Sequence, residues 1–358
     1  MKGIRFICFL CGLGLFFSCS KGVEEKMPFI SLKSQILKTD SLLIGHKVIA
    51  KMDSFLIFPT WKCKTLYDIY AIKGDSLIFQ NHFLPFGNGP YELTMSVEAY
   101  SLNNGCFLTY DPNIQKGFQI NLKNRHDMLN KSTYKEFKQL QRDVHFLKIV
   151  YETDSTLVTT FLQDGIRSYL GRFNLNSGFL TPIWGLWPND GFEGADNIKQ
   201  QAYAVNAILL KHPFLNKYFT ASGVGKYGEI FSIQEDSIIS HHKLFDIYPK
   251  YKADDDGMNI KYDRSNFSGL DACVSSNYIY VMPDRGTTGD YLSNNHPSSY
   301  YIYTNEVFVY DWDGVLRKKY LLDKDILTLF VDNEDRAIWG LVMDEKTNDE
   351  YMVRYDLK

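Results

Sequence analysis

The residues able to do chemistry are thinly spread along this chain, and their spacing excludes more reactions than it suggests. Gly223-Val224-Gly225-Lys226-Tyr227-Gly228 matches Gly-x-Gly-x-x-Gly letter for letter. A dinucleotide site needs a strand before such a loop and a helix after it. Here Glu229-Ile230-Phe231-Ser232-Ile233 follows and alternates as a strand does, so the run reads as a hairpin loop. Ala253-Asp254-Asp255-Asp256-Gly257 invites a calcium loop, but aligning Gly257 with the loop glycine puts Lys252 where the first ligand belongs. An exposed acidic turn is the better reading. Asp311-Trp312-Asp313-Gly314 fails in the same way, with Val309 in the first ligand place, and reads as a hairpin turn with Trp312 packing. His241 and His242 are adjacent and on a strand point to opposite faces. His46, His82, His126, His145, His212 and His296 have no ligand spacing. There is no His-Glu-x-x-His, no Gly-x-Ser-x-Gly and, beyond residue 18, no Cys-x-x-Cys. No metal, cofactor or catalytic residue is therefore expected, although a site assembled from distant segments would leave no such signature.

Two segments look built for binding. Trp184-Gly185-Leu186-Trp187-Pro188-Asn189-Asp190-Gly191-Phe192 sets two tryptophans, Trp184 and Trp187, among turn residues. Residues 283–303 contain Asp284, Arg285, Tyr291, His296, Tyr300 and Tyr301. Aromatics on long loops stack on sugar or peptide faces, and an arginine such as Arg285 binds a carboxylate. Arg264 and Arg167 are weaker candidates. The alternative is that these side chains pack the loops onto the ends of the sheets, and the sequence does not choose between the two.

The start of the chain addresses it. Lys2 and Arg5 precede an apolar run from Phe6 to Phe17, which ends in Ser18-Cys19. The run holds about 12 residues where a spanning helix needs about 20, so a signal peptide is favoured. It resembles a bacterial lipoprotein signal cleaved before Cys19, whose thiol then carries lipid and anchors the protein in a membrane. The outer membrane is the expected destination, on its periplasmic or surface face. Ser20 to Lys26 is a charged tether with nothing to bury.

Of 358 residues, 45% are hydrophobic and 15% aromatic, which suits half-buried pleated surfaces. Loss of Lys2 and Arg5 with the signal leaves 37 basic against 42 acidic residues. That acidic balance argues against nucleic acid, which wants a basic stripe. Of six cysteines, Cys63, Cys106 and Cys273 remain after Cys8, Cys11 and Cys19 are assigned to signal and lipid. They permit at most one internal disulfide and read as small buried hydrophobes.

The elements that must position any site are strands. One short amphipathic stretch, Lys131 to Gln141, has helical spacing. Elsewhere, runs of Val, Ile, Phe, Tyr and Leu alternate with Gly, Asn and Asp turns. Residues 46–58, 66–80, 105–122, 156–175, 203–234, 277–321 and 326–355 repeat a strand–turn–strand scheme. The units recur at roughly the blade length of propeller repeats. The reading is all-β, a six-bladed propeller over residues 41–358. A signal peptide occupies 1–18, and a tether with a possible ring-closing strand occupies 19–40.

Leu84-Pro85-Phe86-Gly87-Asn88-Gly89-Pro90-Tyr91-Glu92 resembles the Gly-x-Gly-Pro-x-Glu loop that follows the first blade of TolB-like six-bladed propeller lipoproteins of Gram-negative bacteria. Tyr91 stands where that loop often has Gly. Tyr203 through Ile233 is similar to the family's middle blade. Val309 to Gly314 with Tyr320 to Asp323 is similar to the penultimate blade, and Arg354-Tyr355-Asp356-Leu357 to the last strand. The resemblance implies a lipid-anchored propeller and no established catalytic residues. In the loop, Gly87 and Gly89 permit positive φ, Pro90 fixes the exit and Glu92 completes the motif, a structural role. The expected function is non-catalytic binding of an envelope protein, peptide or glycan. The alternative is a hydrolase or lyase at the mouth of a central channel.

Overall fold

The computed structural model describes residues 27–39, 47–60, 64–101, 105–123, 125–267, 270–283, 286–289, 304–344, 347 and 349–357. Its architecture follows from one property of the strands: they bury both faces. Thr156–Leu162 and Tyr218–Ser222 are buried almost throughout. A strand buried on both faces needs a packed neighbour on each side. A ring of sheets provides this for every member. Leu157 and Phe161 enter one core while Val158 enters the next, and Tyr218 and Phe231 part from Phe219 and Ile230 in the same manner.

The ring has six blades, each an antiparallel sheet that begins at the channel and runs outward. Blade 1 comprises Ala50–Met52, Phe55–Pro59, Thr65–Lys73 and Ser76–Pro85. Blade 2 comprises Val97–Ser101, Cys106–Asp111, Lys116–Asn121 and Lys135–Lys138. Blade 3 is built from His145–Tyr151, Thr156–Leu162, Leu170–Asn174 and Phe179–Ile183, and blade 4 from Ala207–Lys211, Tyr218–Ser222, Lys226–Gln234 and Ser237–Ile247. Blade 5 contains Asp271–Val274, Tyr278–Met282, Thr304–Asp311 and Leu316–Ile326. Blade 6 takes Thr328–Val331, Ala337–Met343 and Glu350–Asp356 from the end of the chain and its fourth strand, Gln35–Ile36, from the beginning. The ring is therefore closed by hydrogen bonds between the two ends of the propeller. The same N-terminal segment adds Phe29–Leu32 in parallel to the rim of blade 5 and Lys38–Thr39 to that of blade 1.

Each core lies between two blades. Tyr67, Ile69 and Phe83 of blade 1 meet Phe107, Phe118 and Ile120 of blade 2. Leu56, Phe58 and Tyr70 of blade 1 meet Trp339, Leu341 and Met352 of blade 6, with Leu37 from the closing segment among them.

Two local expectations change. Lys131 to Gln141 is not a helix: Lys131–Thr133 makes one 3-10 turn and Lys135–Lys138 is the outer strand of blade 2. Tyr134 and Phe137 have helical spacing, but they insert into different inter-blade cores. Tyr203, read as the start of a strand, closes the helix Asp196–Ala204 instead. Gly223 to Gly225 forms the turn between two paired strands of blade 4. Asp254 accepts hydrogen bonds from the backbone of Met258 and Asn259 in the turn of a small hairpin, Tyr251–Ala253 with Ile260–Tyr262.

Candidate functional site

Because every blade starts at the channel, the six innermost strands enter it at one mouth and leave at the other. They line a central cavity of about 890 Å³ to which all six blades contribute. Toward the mouth where the strands begin, four charged side chains converge from blades 1, 2, 3 and 5. Lys47 Nζ reaches across to Asp271, 3.1 Å from Oδ1 and 3.4 Å from Oδ2. Glu98 sits one blade further round. Its Oε1 accepts from Ser96 Oγ at 2.5 Å and from Tyr67 Oη at 3.1 Å. Tyr67 is held in turn by Thr109, 2.7 Å away on the adjacent blade. Lys148 stands on the inner strand of blade 3, within the field of Lys47, Glu98 and Asp271.

The electrostatics of the four differ. Burial is the main reason the Glu98 carboxyl holds its proton above the ordinary carboxylate range; its two hydroxyl donors and Lys148 only partly offset it. Desolvation, then repulsion from Lys47, draws the Lys148 ammonium below the ordinary lysine range. Lys47 is pushed the other way, because attraction to Asp271 outweighs its own desolvation. Burial raises the Cys273 thiol well above its usual value, so it is a poor nucleophile. At the opposite mouth the loops after the inner strands carry Asp53, Glu152, Asp154, His212, Asp332, Glu334 and Arg336, a mixed rim. Burial and Asp53 push Tyr100, in the wall between, up to about 12.

Among the described residues, no group of His, Cys, Asp and Glu has the arrangement of a metal site. His241 bonds Ser232 while His242 lies against Gly314. Cys106 Sγ lies in hydrogen-bond contact with Tyr151 Oη at 3.0 Å, Cys273 is a free thiol, and Cys63 lies outside the described residues.

The residues singled out from sequence lie elsewhere. The loop with Trp184 and Trp187, the helix Asp196–Ala204 and the hairpin at Tyr251 form a cap on the face where the inner strands begin. Asp190 fastens it. Its carboxylate takes Tyr251 Oη at 2.6 Å, Tyr203 Oη at 2.9 Å and Lys199 Nζ at 3.0 Å, with its side chain only 1% exposed. Burial works to raise its pKa, but these donors prevail and leave it below the usual range. Trp187 packs under Lys199, whose ammonium is 5.4 Å from the ring centroid. Trp184 is 46% exposed and joins blade 4 through Asp236 and Ile238. Arg264 is exposed, and its carbonyl accepts from Gly289 N at 2.7 Å, so it borders the segment that carries the other candidates. Asp284, Arg285, Tyr291 and His296 lie outside the described residues, as does Cys19. Of the described candidates, neither tryptophan nor Arg264 lines the channel.

The loop at Gly87 has a full geometric account. Gly89 N donates to Glu92 Oε2 at 2.8 Å, folding the carboxylate over both glycines. A Cβ on Gly87, whose φ is +152°, would meet that oxygen at 2.2 Å. Pro90 turns the chain between them, and Lys116 Nζ ties Gly89 O to blade 2 at 2.9 Å.

Sequence reasoning missed Lys47, Glu98, Lys148 and Asp271. The available signal was a charge inside short strands, as in Val97-Glu98-Ala99-Tyr100, which marks a wet wall rather than a dry core.

A TolB-like 6-blade propeller-like family model matches residues 26–334. No curated protein matches the chain. A Bacteroides fragilis crystal structure superposes with a TM-score of 0.55 at 11% identity, covering 92% of this chain and 100% of that one. A member of the DUF4221 family from Bacteroides vulgatus also gives 0.55, at 14% identity, covering 93% and 96%. At such identities the likeness concerns the fold alone.

Proposed function

The chain belongs to the TolB-like six-blade propeller family, and from that premise we propose that it is an exported binding protein, anchored by lipid on Cys19 in the outer membrane. It holds an envelope protein, peptide or glycan by taking part of the partner into its central channel, without catalysis. One observation carries this reading: a cavity of about 890 Å³ lined from every blade, with charges of both signs on its wall. Concave sites with a few convergent polar groups are where ligands are held. The lipobox-like start of the chain supports the anchor, and the acidic net charge supports a partner other than nucleic acid.

The test is site-specific photocrosslinking in intact envelopes. A crosslinking residue is placed at Phe330 in the channel wall, at Trp184 on the cap, or at Leu140, exposed on the outside. A stoichiometric adduct from position 330 but not from 140 supports binding in the channel. Adducts from 184 alone move the docking surface to the cap. No adduct from either, with the protein intact and membrane-bound, defeats the binding reading.

A second reading, a hydrolase or lyase acting in the channel, is favoured by the opposed shifts of Glu98 and Lys148, since acids and bases pushed apart in one cavity are what proton transfer needs. Turnover of a captured ligand that Glu98→Gln abolishes would select it.

A further inference from the structure

We infer that the rim of the disc at the seam between blades 5 and 6 is a membrane-docking surface, and that its partner is the lipid bilayer that carries the anchor. The inference rests on the lipid-anchor reading above and deepens it by fixing which edge of the molecule meets the membrane.

The segment that closes the ring builds this surface. Phe29–Leu32 is outermost in blade 5 and Gln35–Ile36 outermost in blade 6, so both stand as far from the channel as their blades reach. Between them the chain crosses the seam, held where Ser34 N donates to Asp323 Oδ1 at 3.0 Å. Ile30 pairs with Tyr320 and Ile36 with Val353. Directly paired residues of neighbouring strands share a face. Tyr320 and Val353 both belong to the core between blades 5 and 6. The two isoleucines therefore look onto one seam from its two sides. Blades diverge toward the rim, and there the seam is open: Ile30 is 47% and Ile36 51% exposed. Leu32 and Leu37 of the same segment turn inward to the cores.

Cations accompany the apolar side chains. Lys33 is exposed at the crossing, and the Lys324 ammonium lies 5.8 Å from the centroid of the Tyr351 ring. On the other face of the blade 5 rim, exposed Phe29 has the Lys319 ammonium 4.3 Å from its centroid. A lysine beside an apolar side chain lays its stem along hydrocarbon and lifts its charge to the level of headgroup phosphates.

The chain ahead of this surface selects a bilayer as the occupant. Phe29 follows Cys19 by ten positions. Even fully extended, such a length spans at most about 36 Å. A lipid on Cys19 therefore keeps the blade 5 rim within that distance of the membrane, and Ile30 and Ile36 continue directly from the tether. Leu140, also exposed, bonds through its N–H to Gly178 O at the seam between blades 2 and 3, three blades away and so on the opposite edge. With the seam between blades 5 and 6 docked, the disc stands on its rim. The channel then runs along the membrane plane with both mouths open, as a channel that receives part of a partner requires.

The experiment takes the full chain, processed in a Gram-negative host, and reconstitutes it in vesicles of phosphatidylethanolamine and phosphatidylglycerol. A photocrosslinking residue stands at position 30, 36, 140 or 258. Leu140 and Met258 are more exposed than either isoleucine and lie on the opposite edge and on the cap. Lipid adducts, identified by mass, are expected at 30 and 36 and not at 140 or 258. Ile36→Ser should lower the yield at position 30 about tenfold, as loss of one buried isoleucine implies. Adducts at 258 to match those at 30 would mean that the disc lies on its cap. Equal yields at every position would mean that it tumbles on its tether. Either result overturns the inference, as does the absence of adducts at 30 and 36. The mass of the Cys19 peptide reports the anchor separately. A lipid-modified Cys19 without adducts at 30 and 36 removes the docking surface alone, whereas an unmodified Cys19 removes the anchor reading and the inference with it.

Discussion

Two hydroxyls, from Tyr67 and Ser96, donate to the same oxygen of Glu98, and burial still keeps its proton above the ordinary carboxylate range. The folded state thus binds more protons here than the unfolded state does. Stability is lost as pH rises through the window that opens at the ordinary value of 4.5 and ends at the raised folded value. Glu98→Gln keeps an acceptor for both hydroxyls and removes the charge. It should leave stability unchanged at acid pH and increase it by about 1 kcal/mol at pH 8, as replacing strained functional groups often does. Denaturant unfolding at the two pH values checks this; a variant less stable than the parent at pH 8 would refute the picture of a costly buried carboxylate.

At the scale of the element, the loop from Phe86 to Glu92 is a small folded unit whose parts require one another. Glu92 lies where side chains on Gly87 and Gly89 would be, and the Gly89 N–H holds it there. Gly87→Ala should cost about 1–3 kcal/mol from backbone strain and displacement of the carboxylate. Adding Glu92→Ala should recover part of that loss, because the collision goes while the φ of +152° remains. A double-mutant cycle measures it, and strict additivity would mean the two residues do not meet as described. This element was legible in advance, because a Gly-x-Gly-Pro-x-Glu run carries its geometry within nine residues or so of chain. The stretch at Lys131 was not. A period of three between Tyr134 and Phe137 fits a helix, yet it also fits a chain that crosses from one inter-blade core to the next.

At the scale of the whole molecule, six blades are held by six inter-blade cores, and one of those joints depends on residues at the far end of the chain. Gln35–Ile36 completes blade 6, and Leu37, 1% exposed, fills the core between blades 6 and 1. Removing the chain through Lys33 deletes only a rim strand of blade 5 and should cost little. Removing it through Thr39 opens the ring, exposes the edge of blade 6 and empties the site of Leu37. Loss of that leucine alone is worth about 2–5 kcal/mol. Thermal unfolding of the two truncations should therefore differ sharply; similar melting temperatures would show that closure contributes nothing.

The sequence by itself determined the fold class, because burial of both strand faces is written as apolar residues at both parities and turns as Gly, Asn and Asp, all within a few residues. It also marked which motifs were turns rather than ligand loops, and the loop at Gly87. The candidate binding residues Trp184 and Trp187, drawn from a long loop, and Arg264, added beside it, were chosen for chemistry alone, and tertiary packing sends Trp187 under Lys199 and leaves Trp184 on the cap. What only the tertiary structure decided is the channel. Lys47, Glu98, Lys148 and Asp271 stand on four blades and are separated by fifty residues or more in sequence. No local spacing relates them, since their proximity is set by ring closure and by the number of blades. The inner strands that carry them are short and partly charged because they face water rather than a core, and this weakens the alternation by which strands are recognised.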